Sequence, residues 1–538
     1  MCVVLTVALA GLFAAAGSAS AAPRHAPALR PAGNDGLARA LQNGRLTKAE
    51  YALERARSIV APGRAQRLFG DVDTVGPRDA TEILRDLAAR MDELSPAQRT
   101  LARSLLARPT DKRDSFRHYR GPAKHVCDSR MCYWWTRTGA DAPNLHDGNR
   151  NRVPDWVDAT RSVFQHVWAT EVGRFGYRAP RSDITSRSNG GNKKLDIYIA
   201  DLGSIGLYGY CTSDDPATSF RSFASAYCVV DDDFSRRQFR SGAYAKAALR
   251  VTAAHEFFHA VQYGYDWLED GWLMEGSAAW IEDEVYDNVN DNIQYLARSP
   301  LSPQRFWHPI DYYSLNQDSP DSAYKYGAWI FFRFISERYG RDAMRAVWRR
   351  ADAIRSAPDD YSIQAVSNVL LSHGTTLPDF LSDFGATNLL PKIGYQEGIL
   401  YPTPVPTATQ LVSPAGLPRS TPILMPHLSN DYYAFLPNGV GTTSTLTLTV
   451  EQPALETSPR SMVVYQGLDG SVSRLPAVQD GVSGNWIITV PNFGSAQRVT
   501  LVLTNASARY TCWRGKVYSC QGTPLDENTQ FFYTAAIS

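Results

Sequence analysis

Two histidines four residues apart, with a glutamate beside the first, are the clearest chemical signal in the chain: Ala253-Ala-His-Glu-Phe-Phe-His-Ala-Val261. On a helix, positions i and i+4 share a face, so the imidazoles of His255 and His259 can reach one Zn2+. Glu256 then stands beside water polarised by the metal, close enough to take its proton. Glu256 is the sole charged residue between Val251 and Val261, so the helix is expected to be buried. Two histidines and a carboxylate in such surroundings are costly unless something pairs them, and a metal does that. The competing explanation is a pair of core histidines satisfied by backbone oxygens.

A catalytic zinc takes three protein ligands and leaves a fourth position open. Downstream carboxylates are Glu269, Asp270, Glu275, Glu282, Asp283 and Glu284. Glu275 lies in Trp272-Leu-Met-Glu-Gly-Ser-Ala-Ala-Trp-Ile281, an apolar stretch that opens a second helix, whereas the others fall in acidic runs that read as solvated. The fifteen residues between His259 and Glu275 are enough for a turn of helix, a loop and a return to the metal.

His-Glu-x-x-His followed by Glu-Gly-x-Ala on the next helix resembles the gluzincins, zinc peptidases whose third ligand is Glu. The likeness is closest to secreted metalloproteases of actinobacteria and myxobacteria that join such a core to β-rich C-terminal modules. It covers residues 114–391 and implies a small mixed sheet over the active-site helix, followed by a mainly helical subdomain. It also implies an oxyanion-stabilising phenol in Tyr324-Lys-Tyr-Gly-Ala-Trp329, where Tyr324 matches the family Tyr. Tyr326 and His308 are the fallbacks, and plain packing of both tyrosines is the alternative. The Gly-x-Met-Glu-Asn segment with which aminopeptidases of the clan bind a substrate amine has no counterpart here. Instead, residues 223–230 are expected to form an edge strand, stapled by a Cys211–Cys228 bridge, along which an extended peptide could add. That favours an endopeptidase.

A second oxygen-rich run, Asp147-Gly-Asn149-Arg-Asn151-Arg-Val153-Pro-Asp155-Trp-Val-Asp158, places side-chain ligands at positions 1, 3, 5, 9 and 12 of an EF-hand-like loop. Val153 at position 7 would contribute its carbonyl. Position 6 is Arg152 rather than Gly, and position 12 is Asp158 rather than Glu. The expectation is a structural Ca2+ site, against a polar turn in which Asp155 caps the following helix.

These groups need a scaffold, and 538 residues exceed what one hydrophobic core supports. Residues 1–22 read as a signal peptide, with an apolar stretch from Val3 to Ala16 and small residues before a cleavage site near Ala21, although a positive start is missing. Residues 23–113 read as a helical N-terminal segment, with 46–60 and 79–94 amphipathic. Propeptide and permanent cap both fit it. Residues 114–400 form the expected metallopeptidase core, with strands at 194–200 and 227–231 and helices over 155–175, 245–265, 273–285 and 322–339. Pro402-Thr-Pro-Val-Pro406 breaks the chain. From 401 to 538, short alternating runs at 432–435, 444–450, 486–490 and 499–504 predict an all-β sandwich. The fold class expected is α+β.

Lys plus Arg (55) balance Asp plus Glu (54), so no bulk field favours nucleic acid or an anionic membrane. No later run is apolar enough to span a bilayer, and six cysteines beyond Cys2 form three sequence-close pairs: Cys127 with Cys132, Cys211 with Cys228, and Cys512 with Cys520. An exported, disulfide-bonded protein is expected. Its partners would be a protein or peptide substrate, with the β module holding a surface or polymer. A non-catalytic binding protein on a peptidase scaffold and a zinc hydrolase of a non-peptide amide or ester are the alternatives.

Overall fold

Capping chemistry marks the helices that open the fold. They are α1 (Gly36–Gln42), α2 (Lys48–Val60), α3 (Pro62–Phe69), α4 (Ala80–Ala89) and α5 (Pro96–Leu105). Thr47 with Glu50 and Ser95 with Gln98 form reciprocal capping boxes at the starts of α2 and α5, satisfying amides that a helix start leaves open. The computed structural model describes residues 35–112, 118–186, 188–215, 222–239, 245–314, 321–511 and 523–538. The expected signal peptide and the Cys512 and Cys520 pair lie outside the described residues.

The central sheet contains β1 (Ala123–Cys127), β2 (Met131–Thr136), β3 (Leu195–Ala200), β4 (Gly209–Thr212) and β5 (Tyr227–Asp231), in the order β1-β2-β3-β5-β4. β2, β3 and β5 run parallel, flanked by antiparallel β1 and β4. α6 (Asp155–Trp168) connects β2 to β3. Disulfides join Cys127 to Cys132 and Cys211 to Cys228, as the sequence spacing predicts. The predicted edge strand is displaced by one position. β5 is paired on both sides, and the edge is β4, a four-residue strand too short to show alternation.

After α7 (Arg236–Phe239) come the two long helices of the core, α8 (Ala245–Asp266) and α9 (Gly271–Val285). The helical subdomain follows with α10 (Tyr324–Gly327), α11 (Trp329–Tyr339), α12 (Asp342–Arg350), α13 (Ile363–Ser372), α14 (Leu377–Asn388) and α15 (Pro391–Gly394). One continuous hydrophobic cluster runs from Leu53 and Leu87 of the N-terminal helices through Ile197, Phe257 and Trp280 to Phe384. The class is α+β, as expected.

The last segment is a pair of five-stranded sheets. One contains β6 (Ala408–Val412), β8 (Ser429–Pro437), β10 (Pro459–Gly467), β11 (Val472–Pro476) and β14 (Ala496–Asn505). The other contains β7 (Ile423–Met425), β9 (Leu446–Glu451), β12 (Val478–Gln479), β13 (Trp486–Val490) and β15 (Thr529–Ile537). Phe435, Leu448, Val463, Leu501 and Phe531 fill the space between them, the inward half of an alternating pattern. Among the described residues, no helix is long and apolar enough to cross a membrane.

The sandwich is seated on the helical subdomain. Phe306, Ala386 and Leu389 pack against Tyr432, Val464 and Val502, and Arg460 reaches Asp379 at 2.7 Å. At the same junction His427 lies between Asp311 (3.0 Å) and Glu527 (2.6 Å). Burial alone would lower the His427 pKa, but these two carboxylates outweigh it and raise the group to about 10. Asp311 is buried too, yet the His427 charge and hydrogen bonds from His427 and Tyr510 hold it below the usual range. A raised His contributes stability fully below its unfolded value of 6.5, and that contribution is lost as pH climbs through about 10. Thermal melts from pH 7 to 10 are therefore expected to fall steadily. His427→Gln should flatten that dependence and cost roughly 3 kcal/mol at neutral pH by leaving the Asp311 charge without a cation, held by the Tyr510 hydroxyl.

Candidate metal centre

α8 is built for burial on every side: from Val251 to Asp266 each residue is buried, the pattern of a helix at the centre of a fold. The sheet, through β4 and β5, covers one flank, and α6 and α9 cover others. His255 and His259 share one face, with ring centroids 4.7 Å apart. α9 crosses α8 and brings Glu275 to that face. On its other side α9 packs closely on α10 and α11: a Cβ at Gly276 would lie 2.7 Å from the Phe332 ring and 3.3 Å from the Lys325 carbonyl.

His255, His259 and Glu275 are fully buried, and one donor atom from each lies within 4.8 Å of the other two. Nε2 of His255 is 3.2 Å from Oε2 of Glu275, and Nε2 of His259 is 3.9 Å from it. Neither Nε2, nor either oxygen of Glu275, has a hydrogen-bond partner. The far side of each imidazole is engaged. Nδ1 of His255 meets Oε1 of Glu282 at 2.8 Å, and Nδ1 of His259 meets Oε1 of Gln262 at 2.7 Å. Because carboxylate and amide oxygens only accept, Nδ1 of each ring carries the proton and Nε2 presents its lone pair inward. Two inward Nε2 atoms and a carboxylate in a buried site form a donor set that fits a divalent metal.

Glu282 corrects an expectation. The acidic run predicts solvated positions for it and for Glu269 and Asp283, yet all three are buried, and Glu282 orients the His255 ring through Nδ1. It stands seven residues after Glu275, two helical turns along the same face, which is the spacing that could have exposed it. Gln262, three residues after His259, donates onward to the Met274 carbonyl at 2.9 Å and so ties α8 to α9.

Glu256 is fully buried beside the triad. Its Oε2 accepts a hydrogen bond from Thr81 Oγ1 at 2.8 Å, and its Oε1 has no partner. Burial pushes its carboxyl up to about 7, against the opposing pull of His255 and the Thr81 hydroxyl. β4 approaches closely here, and a Cβ at Gly209 would lie 3.2 Å from Cγ of Glu256.

The two tyrosines of α10 separate. Tyr324, the expected oxyanion donor, gives its hydroxyl to the His308 carbonyl at 3.1 Å and packs on His308 and Tyr312. Tyr326, the fallback, has its ring 6.1 Å from that of His255. Its hydroxyl donates to Asp79 Oδ1 at 2.7 Å. Two residues along a helix lie on different faces, and only the Tyr326 face looks toward the histidines. His308 pairs with Asp321 at 3.3 Å instead.

The loop at 147–158 does close on itself. Asp147 accepts from the amides of Asn151 (3.1 Å) and Arg152 (2.8 Å), while the side-chain amides of Asn149 and Asn151 both reach Asp158 Oδ2 (3.0 and 2.8 Å). Val153 donates its amide to Asn151 Oδ1. Arg152 adopts φ 71°, the left-handed turn that a glycine would make at no cost. Asp155 is the first residue of α6 rather than its cap, and accepts from the Gly148 amide at 3.0 Å and meets His146 at 2.6 Å.

No protein-family model matches this chain, and no curated protein matches it.

Proposed function

We propose that this chain is an exported zinc-dependent peptidase, cutting within polypeptides. The observation that carries the reading is the set of buried, inward-facing donor atoms on His255, His259 and Glu275, each without another partner. Zinc, when bound, supplies the Lewis acidity that polarises a carbonyl and makes water a better nucleophile. Glu282 and Gln262 hold the imidazoles in the tautomer that can ligate. Glu256 takes a proton at its free Oε1 and returns it to the departing amine. Tyr326, once its hydroxyl leaves Asp79, donates to the oxygen on which negative charge develops. Asp147, Asn149, Asn151, the Val153 carbonyl, Asp155 and Asp158 are proposed to hold Ca2+ as a structural ion, and the sandwich to hold a surface or polymer.

The test is metal analysis of the purified chain together with hydrolysis of an unstructured protein. One zinc per chain and cleavage products are expected; a chain that excludes zinc overturns the reading. The two tyrosines give a finer check. Tyr326→Phe is expected to lower kcat/KM about 100-fold, while Tyr324→Phe loses only the His308 hydrogen bond, costing about 1 kcal/mol of stability and leaving turnover intact. Equal turnover in the two variants would remove Tyr326 from the mechanism.

A further inference from the structure

Three groups around the candidate metal ligands, Glu282, Tyr326 and Glu256, are engaged by one short stretch of the N-terminal segment. The Arg78 guanidinium pairs with Glu282, the carboxylate that orients His255, and with Asp291 at 3.0 Å. Asp79 takes the Tyr326 hydroxyl and pairs with Lys325 at 2.8 Å. Thr81 covers one oxygen of Glu256. The same stretch uses hydrogen-bonding groups at the edge strand: the Tyr208 amide donates to the Pro77 carbonyl at 2.9 Å, and the Cys211 amide donates to Thr81 Oγ1 at 3.0 Å. Arg85 then fastens α4 to the loop between α8 and α9, donating to the carbonyls of Trp267 (3.2 Å) and Glu269 (3.0 Å).

A permanent cap has no reason to take the base, the phenol and the edge amides together, for a substrate needs each of them. With the segment in place, His255, Glu256, His259 and Glu275 expose no surface, and a polypeptide cannot reach them. The segment is also divided from the core at a definable place. The Tyr227 hydroxyl holds the carbonyls of Leu106 and Ala107 (3.0 and 2.9 Å), and Arg108 pairs with Asp183 (2.9 Å), Asp196 (2.5 Å) and Asp214 (3.0 Å). From Leu106 onward the chain is tied into the sheet; before it lie the five helices.

We infer that residues 35–105 are an autoinhibitory plug, with Pro77 to Arg85 lying in the substrate cleft, and that the site opens when the chain is cut ahead of Leu106. The inference rests on the peptidase reading for the word substrate, but the occlusion can be measured without it. Arg85, which pairs with the buried Glu82 and holds the Trp267 and Glu269 carbonyls, is not a member of the proposed machinery, so Arg85→Ala is expected to loosen the plug with every proposed ligand and Glu256 retained.

The experiment compares three zinc-loaded proteins: the full chain, its Arg85→Ala variant, and the full chain trimmed by limited proteolysis, with the new N-terminus read by mass. Hydrolysis of unfolded casein and the rate of zinc loss to 1,10-phenanthroline should both rise about tenfold or more in the trimmed protein, and move the same way in Arg85→Ala. Hydrogen exchange at the Tyr208 and Cys211 amides should quicken with them. If the full and trimmed chains agree in zinc loss and in exchange at those amides, the plug is overturned, whatever Arg85→Ala does to folding. If exchange and zinc loss differ but no form cuts casein, the plug stands and the peptidase reading falls. Should no zinc bind, the amide exchange alone decides.

Discussion

Glu256→Gln is expected to keep its zinc and to lose about a thousandfold in kcat/KM on an unstructured protein, the scale of a positioned general base. The substitution is nearly isosteric at a fully buried position, and the Thr81 hydroxyl can still donate to the amide oxygen that replaces Oε2. What disappears is the one atom able to take a proton, because an amide is not basic. Burial already disfavours the ionised carboxyl and raises it to about 7, so removing the charge should leave the melting temperature equal or slightly higher. That combination separates catalysis from folding. Parent and variant are best compared after trimming, so that access does not limit both. A variant that turns over within about tenfold of its parent would falsify the role of Glu256.

The second large effect concerns stability. In the folded chain the donor atoms of His255, His259 and Glu275 have left water and gained no hydrogen bond, a cost that the proposed metal would repay through linkage. Free zinc at a thousand times its Kd adds about 4 kcal/mol. For a domain of this size that corresponds to a melting shift on the order of 10 °C. Chelation should lower the transition by that amount, and Glu256→Gln should show the same shift. Glu275→Ala should abolish it along with zinc stoichiometry. Identical melts for the zinc-loaded and stripped parent would mean that the triad holds no metal.

The parts of the site that could be read from sequence were local ones. His255 and His259 sit on one helix, where spacing alone places them on a face. Glu275 announced itself as a lone charge in an apolar run, and the structure brings it to both histidines. Glu282 did not, because its acidic neighbours Asp283 and Glu284 mimic a solvated face. Thr81, Asp79 and Arg78 were invisible for another reason. Thr81 meets a residue 175 positions later, and no periodicity reports a contact of that span. Tyr324 and Tyr326 differ by two residues in a four-residue helix, where a small error in register exchanges which phenol faces His255. The fold shows the same division: α8, α9 and four of the ten sandwich strands, β8, β9, β13 and β14, follow from pattern, whereas β4, four residues long, has too little pattern to reveal it as the edge.

The seat between the sandwich and the helical subdomain has a consequence for reach. Pro402 to Pro406 looks like a tether in sequence, yet Tyr432, Val464 and Val502 are buried against Phe306, Ala386 and Leu389, and His427 is clasped by Asp311. A module on a free leash samples a volume, and its benefit to the enzyme is an averaged local concentration that falls as the leash lengthens. A module bolted to the catalytic body offers one distance and one orientation instead. If the chain is the peptidase proposed and the sandwich binds the polymer proposed for it, the spacing of sites along that ligand, rather than the affinity of the sandwich for it, would decide which bonds come within range.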